Sequence, residues 1–559
     1  MNLRNACFGL GLLYFPSVVL ADAWLDQLNI PRLDQPKPDK PLVIAVVDDA
    51  FRLSHQQFKD IIWQRPDEIA DNGIDDDGNG YIDDRFGWDI ADNDNSVLPP
   101  LERLPEFYHG THLSGIIASI VKRAYGDQAG DYVRILPIKG LSDHAPIPYL
   151  KDAYSGLEYA LDSGADLVLA AWAETNIAPR QEALLKRAEQ QGTIIVAAAG
   201  NFQLHRPQYP AAFPSVLSVT AAEANGTLTE HANYGQHVNL VAPGTAVISA
   251  GSTGDDHTYI SSGSSQASAM AVAAVALLKL AYPDLNPAEL KACLIEGADA
   301  FPELDARWVA QLGAGTINVQ QALACPVLKG HSRSYTQHKA YQGYLNLANK
   351  AEQGSTWVIR PPGQYQGLRF LLASPVANNS QGQLSIYSNN VRDAAPDKVY
   401  ALNDLPDQFY IPGGFARLVV QGGAEGQAGA KPLLFYRAEP IDYSSAYCKG
   451  TVYVQKAGVL DDGSGAARYA YNSNCKWQIT APAGKRIQLR AIQLDTEKGV
   501  DKLYFFNGTT TEQRNMMAIF SGTELPPAFT SWSNNVLLWF ASDGKQQGQG
   551  WQISYQFID

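Results

Sequence analysis

Tyr259-Ile-Ser-Ser-Gly263-Ser-Ser265-Gln-Ala-Ser-Ala-Met270 runs directly into Ala271-Val-Ala-Ala-Val-Ala-Leu-Leu-Lys-Leu280. The first half is small and hydroxylated, as in an exposed turn, and the second is apolar on every face, which marks a helix buried on all sides. A serine at the head of such a helix is well placed to be a nucleophile. The first N–H groups of a helix are unsatisfied and carry partial positive charge, so negative charge developing beside Ser265 is stabilised there. Alone, a serine in a Gly-Ser turn is more often a helix cap. The base, the orienting carboxylate and the oxyanion donor must come from elsewhere in the chain.

At 559 residues the chain is too long for one core, and its length suggests about three or four domains. A net charge of −14, with no block of like charge, argues against nucleic-acid or anionic-membrane binding and leaves protein or peptide as the expected partner. Arg4, the apolar run from Ala6 to Leu20 and the small-residue site Val19-Leu20-Ala21 read as a signal peptide over residues 1–21, too short for a membrane span. No other segment reads as long and apolar enough to cross a bilayer. The expected location is therefore secreted, extracellular or periplasmic. Beyond Cys7, Cys293, Cys325, Cys448 and Cys475 form an even set in an oxidising compartment, open to three connectivities. Pairing Cys293 with Cys325 and Cys448 with Cys475 keeps each bridge within one candidate domain.

Pro41-Leu-Val-Ile-Ala-Val-Val-Asp48 is a β-branched run ending in a carboxylate, as in a central parallel strand, and ligands of open α/β sheets gather beyond such strand ends. Asp75-Asp-Asp77-Gly-Asn79-Gly80-Tyr81-Ile-Asp83-Asp84 has the front half of a calcium loop. Oxygen donors fall at positions one, three, five and nine (Asp75, Asp77, Asn79, Asp83), Gly80 takes position six, and the Tyr81 carbonyl stands at seven. Position twelve is Phe86 rather than a glutamate, so Asp84, Asp89 or water must complete the shell. His109-Gly-Thr-His112 leads into an apolar run, and a histidine there is placed to be a general base. His112 reads instead as a structural hydrogen-bonding residue. Between Ala165 and Ala211 the pattern is strand (Asp166 to Ala173), amphipathic helix, strand (Thr193 to Asn201), the alternation of a parallel sheet with helices on both faces. Asn201 ends its strand on the same edge as Asp48, where a side-chain amide can donate to an oxyanion.

Taken together, Val-Val-Asp48, His109-Gly-Thr-His, Ala-Ala-Gly-Asn201, Asn233-Tyr-Gly, Ala242-Pro-Gly and Gly263-Ser-Ser265 resemble the subtilisin-like serine peptidases, over residues from about 40 to 325. The resemblance implies Ser265 as nucleophile, His109 as base and then acid, Asp48 as the carboxylate that fixes the imidazole, and Asn201 as oxyanion donor. It implies a secreted endopeptidase working through an acyl-enzyme, with Ala171 to Ala173 and Ala198 to Gly200 lining the cleft. Departures stand at Asp49-Ala50, where Ser or Thr and Gly are usual, at Ala171 and Ala173, at Gln266, and at Ala269-Met270. Only about twenty residues separate the cleavage site from the Asp48 strand, too few for the propeptide that family members carry. The competing expectation is a catalytically impaired scaffold acting as an extracellular protein-binding module.

From Val327 onward helices give way to short alternating runs between Gly, Asn, Asp and Pro turns, as in β-sandwiches. Cys448-Lys-Gly, Asn474-Cys-Lys-Trp477, Asp501-Lys-Leu and Gly550-Trp-Gln-Ile resemble a CUB domain that keeps one disulfide. That resemblance implies calcium held by Asp495 or Glu497, Asp501 and Asp543, and a protein or glycan ligand. Residues 328–440 line up with this segment at an offset of about 120: Trp357 with Trp477, Leu405-Pro406 with Leu525-Pro526, Ala416 with Val536, Phe435 with Tyr555. Leu328 and Ser355 replace the cysteines, and Gln381 and Gly423 replace Asp501 and Asp543. The expected organisation is a signal peptide (1–21), an α/β peptidase domain (22–326), a degenerate CUB-like sandwich (327–441) and a CUB domain (445–559).

Overall fold

The computed structural model describes residues 23–559 except 146–149, 151–152, 175–176, 203–206, 224–226, 230, 302–310, 326–334, 349–354, 362–365, 375, 389–394, 424–430, 440–450, 455, 463–467, 470–472, 512–514 and 544–545. The signal-peptide reading over 1–21, Cys448 and the segment joining the two sandwiches lie outside the described residues.

The N-terminal layer contains α1 (Ala23–Gln27), β1 (Leu42–Asp48), β2 (Trp88–Asp89), α2 (His109–Tyr125), α3 (Ala129–Tyr132), β3 (Val133–Lys139), α4 (Ala153–Asp162), β4 (Leu167–Ala170), α5 (Pro179–Gln191), β5 (Ile194–Ala198), β6 (Leu217–Ala222) and β7 (Leu240–Pro243). A hairpin follows, β8 (Val247–Ala250) with β9 (Thr258–Ser261), and then α6 (Ser264–Ala281), α7 (Pro287–Glu296) and α8 (Val319–Leu323). Seven strands form one parallel sheet in the order β2-β3-β1-β4-β5-β6-β7. The chain leaves β1 for β3 on one side and returns to β4 on the other. The carboxyl end of β1, where Asp48 sits, therefore lies at the point where the winding reverses.

Strands buried on both faces need apolar residues at successive positions, and β1 supplies them: Ile44 and Val46 join one core with α2 and α6, while Ala45 and Val47 join the other with α4. Helix α6 is the centre of the first core. Its alanines let β4, β5 and β6 approach closely, and every residue from Ser264 to Leu278 is buried. By length and composition α6 could cross a membrane, contrary to the expectation that no segment past the signal peptide could; 83% of it is buried inside the fold, which accounts for its apolar character. The strands after Asp166 and Thr193 are shorter than their patterns suggest, ending at Ala170 and Ala198. Cys293 and Cys325 are bridged, tying α7 to the segment after α8. Cys475 is also disulfide-bonded.

The first sandwich is built from β10 (Tyr335–His338), β11 (Gln342–Asn346), β12 (Ser355–Ile359), β13 (Gly367–Leu372), β14 (Gln381–Tyr387), β15 (Lys398–Ala401), β16 (Gln408–Pro412), β17 (Ala416–Gly423) and β18 (Leu433–Glu439). The second uses β19 (Thr451–Val454), β20 (Gly458–Asp461), β21 (Asn474–Thr480), β22 (Arg486–Asp495), β23 (Lys502–Asn507), β24 (Met516–Phe520), β25 (Phe529–Thr530), β26 (Asn535–Ala541) and β27 (Gly550–Ile558). Their sheets are β10-β12-β17-β14-β15 with β11-β18-β13-β16, and β19-β21-β26-β23-β24 with β20-β27-β22-β25. Adding nine to each strand number of the first gives the second. Trp357 pairs with Leu418, and Trp477 with Leu538, both 120 residues on. In the next strand the register slips by one: Leu384 faces Val420 where Leu503 faces Phe540. By register Gly382, rather than Gln381, stands opposite Asp501. The first sandwich is docked on the α/β layer, with Tyr344 and Leu433 inside its core and the backbone N–H groups of Tyr344 and Lys431 donating to Glu296 and Glu289 of α7.

Candidate active site

Asp48 closes β1, is 3% exposed, and accepts the Asp49 N–H at 2.7 Å. His109 is the first residue of α2, so the helix begins at the histidine itself and not at the apolar run after it. Its Nδ1 lies 2.8 Å from Oδ1 and 2.9 Å from Oδ2 of Asp48. That approach needs glycine next in sequence, because a Cβ on Gly110 would stand 2.7 Å from the Ala50 carbonyl oxygen and 3.0 Å from the Asp48 Cβ. Burial pulls the His109 imidazole down. The charge and hydrogen bond of Asp48, with the charge of Asp49 behind it, outweigh that and hold its pKa up at about 9. His112, one turn along, points its Nε2 at the carbonyl oxygens of Val247 and Tyr259, each 3.1 Å away, and burial pulls its pKa down to about 4. It is a neutral strut between α2 and the β8–β9 hairpin.

Ser265 is the second residue of α6 and 6% exposed. The helix is entered through Gly263 at φ 150°, and a Cβ there would stand 2.8 Å from Asn201 Nδ2. Only glycine lets the turn lie against that amide. Asn201, exposed beyond the end of β5, accepts from the N–H and hydroxyl of Ser264 through its Oδ1, at 2.8 and 2.9 Å. Gly200 N–H donates to the same hydroxyl at 3.1 Å. With Oδ1 so engaged, Nδ2–H is the group this amide can turn to a ligand. Asn233, fully buried, supports the loop from below: its Nδ2 donates to the Ala199 carbonyl at 2.8 Å and its Oδ1 accepts the Phe202 N–H at 2.9 Å. The roles of Ser264 and Asn233 were not foreseen from the sequence, although both lie in quoted motifs, Gly-Ser-Ser and Asn-Tyr-Gly. Toward the expected cleft, Trp172 packs edge-on against Tyr154, and Glu174 is paired through its backbone with Tyr209.

The acidic loop folds into a turn with positive φ at Gly78 and Gly80. Asp75 and Asp77 offer carboxylate oxygens within 4.8 Å of one another and of Glu68, which is buried seven residues upstream of Asp75, where no loop spacing points to it. The carboxylates and the amide of this loop also bond within the protein: Asp75 accepts the Gly80 N–H at 2.8 Å, and Asp77 pairs with Arg65 at 3.3 Å. Asp83 accepts the N–H groups of Asn72 and Gly73, and Asn79 Oδ1 accepts the Tyr81 N–H. Asp84 pairs with Arg65 at 2.8 Å and accepts the Tyr159 hydroxyl at 2.6 Å, so it anchors the loop to α4. In the second sandwich Glu497, Asp501 and Asp543 offer carboxylate oxygens within 4.8 Å of one another, and Asp495 accepts the Gln549 N–H at 2.7 Å. Burial first, and then the neighbouring carboxylates, push Asp501 up to about 7. Both clusters are all-oxygen and negatively charged, the donor set of a hard divalent cation such as calcium.

The CUB-domain family model matches residues 448–555. Halolysin of Haloferax mediterranei is 32% identical over 282 residues, 50% of this chain and 48% of its own length. The halolysin-like extracellular serine protease Nep of Natrialba magadii is 29% identical over 253 residues, 45% of this chain and 42% of its own. The chain spans about half the length of these curated relatives. A solved cold-adapted subtilisin-like serine proteinase is similar at 21% identity over 53% of this chain and 96% of its own, with a TM-score of 0.39. The subtilase family model matches residues 39–320, a span that takes in all seven strands of the parallel sheet and the whole of α6, so this chain belongs to the subtilase family and carries a CUB domain near its C-terminal end.

Proposed function

We propose that the protein is a secreted serine endopeptidase. The observation that carries the reading is the imidazole of His109 seated on both oxygens of Asp48, in a subtilase fold where Ser265 lies in the first turn of the central helix, next to the Ser264 that bonds to Asn201. Ser265 Oγ attacks a peptide carbonyl as His109 takes its proton, and the amide of Asn201 meets the oxyanion. His109 returns the proton to the leaving amine, and water then hydrolyses the acyl-enzyme by the same route. Asp48 stabilises the imidazolium. A fluorophosphonate probe should label the purified protein and leave the Ser265→Ala variant unlabelled; equal labelling of both would sink the assignment.

Only the neutral imidazole accepts the serine proton. With the folded pKa raised from 6.5 to about 9, kcat/KM should climb with pH along a limb lying on the alkaline side of an ordinary histidine. For stability the sign is opposite: the raised pKa contributes stability that is fully present below 6.5 and lost as pH rises through about 9. A pH–rate profile with its acid limb at or below 6.5 would contradict the electrostatic reading.

Calcium fits both carboxylate clusters. In the first, Glu68, Asp75 and Asp77 would hold it, with structural rather than catalytic effect. An ion bound only by the native state stabilises by about 2.7 kcal/mol at a hundredfold excess over Kd. Melting temperature should therefore fall on chelation, and Glu68→Ala or Asp77→Ala should blunt the fall. Identical melting in excess chelator and excess calcium would refute the site. The two sandwiches, with the same strand order, read as a duplicated CUB module at 327–441 and 445–559. Their ligand would be a protein or glycan, and the first would serve as a spacer fixed to the peptidase domain.

A further inference from the structure

Helix α2 carries His109 at its very start, yet its own capping residue, Tyr108, makes no side-chain cap hydrogen bond. The cap comes from another element. Asp49, the residue after β1, accepts the His109 N–H on Oδ2 at 2.8 Å and the Gly110 N–H on Oδ1 at 2.7 Å, and its Oδ1 also takes the Ala50 N–H at 2.6 Å. A carboxylate here satisfies two orphan donors at once and meets the positive end of the helix dipole. At 7% exposed it is nearly out of reach of solvent. We propose that Asp49 is a positioning residue, which clamps the main chain of His109 so that the imidazole is held on Asp48. The proposal rests on the peptidase reading above for its kinetic consequence, but not for its electrostatic one.

The two roles of Asp49, acceptor and charge, are separable. Its own pKa is pushed up to about 7, by burial first and then by Asp48, against the pull of His109 and the two N–H donors, so it is ionised over the range in which His109 titrates. Among the described residues, the titratable groups facing the pair are Asp48 on β1, Tyr108 just before α2, His112 on α2, and Tyr259 of β9, whose ring is tilted against that of Tyr108. Burial pushes the Tyr108 hydroxyl up and His112 down, so neither carries charge in that range. Asp48 and Asp49 are the charges acting on the imidazole.

The experiment compares full-length wild type with Asp49→Asn and Asp49→Ala, reading kcat and KM against pH and the low-field imidazole N–H resonance of His109 against pH. Asp49→Ala loses both acceptors, and plateau kcat should fall roughly 10- to 100-fold with KM within about threefold. Asp49→Asn keeps one acceptor and should recover part of that loss. Both variants lack the charge, so the acid limb of kcat/KM and the NMR midpoint should move down by about one pH unit. A cap that served folding alone would lower melting temperature and leave the midpoint where it was. Unchanged plateau kcat in Asp49→Ala, or an unshifted imidazole midpoint in Asp49→Asn, overturns the proposal, as does a rise in KM with kcat intact. If wild type is inert toward peptides and fluorophosphonate, the peptidase reading fails by itself, and the NMR midpoint still decides whether Asp49 acts on His109.

Discussion

Ser265→Ala should lower hydrolysis of casein or of a peptide library by on the order of 10⁴- to 10⁶-fold, with melting temperature almost unmoved. The fold is indifferent to the change because alanine is the best helix former and Ser265 lies in the first turn of a helix already rich in alanine. The hydrogen bond that the segment makes here, from the Ser268 hydroxyl at 2.8 Å, goes to the Ser265 backbone carbonyl, which alanine retains. What is lost is the atom that bonds to substrate. His109→Ala should cost about as much, and adding it to Ser265→Ala should cost little more, since the two act as one proton-transfer unit. Hydrolysis at the wild-type rate in Ser265→Ala would remove the nucleophile and favour the scaffold reading, in which the sandwiches bind and the α/β layer merely carries them.

The parts of this fold that depend on residue type were legible along the chain, and those that depend on what packs from elsewhere were not. The β-branched run ending at Asp48 and the alanine-rich run after Ser265 announce a central strand and a buried helix, because burial on every side leaves no room for another composition. The two sandwiches were legible through shared spacing, although a slip of one residue between β14 and β23 puts Gly382, not Gln381, opposite Asp501. The acidic cluster around Asp75 was half legible. Its glycines and Asp75 and Asp77 follow local turn geometry, whereas Glu68 reaches the cluster from outside the loop, and Arg65 and Tyr159, which pair with Asp84, are partners that no spacing rule contains. Asp49 was visible as a departure from the usual Ser or Thr beside Asp48. Its two N–H partners lie 60 and 61 residues on and emerge only when α2 is laid against β1.

Asn201→Ala should reduce kcat by about 10² to 10³, with KM little changed, the range known for removing one oxyanion donor from a serine peptidase. Ser264 holds the amide in place. Its N–H and hydroxyl fill Oδ1 of the amide, while Gly200 fills the hydroxyl in turn, so the side chain is fixed before substrate arrives and its Nδ2–H is the end left to donate. A donor fixed in advance gains most when the carbonyl oxygen becomes charged, which is why the loss should fall on kcat rather than KM. Asn201 is exposed, so in the alanine variant water can take the place of the acceptor lost to Ser264, and melting temperature should hold. Asn201→Asp keeps that acceptor but replaces the donor with negative charge beside the developing oxyanion, and it should be the slower of the two. Ser264→Ala should fall between wild type and Asn201→Ala, because it loosens the amide without deleting it. If Asn201→Asp matches wild type in kcat, the oxyanion is stabilised by some other group, and Asn201 serves only to tie the end of β5 to the start of α6.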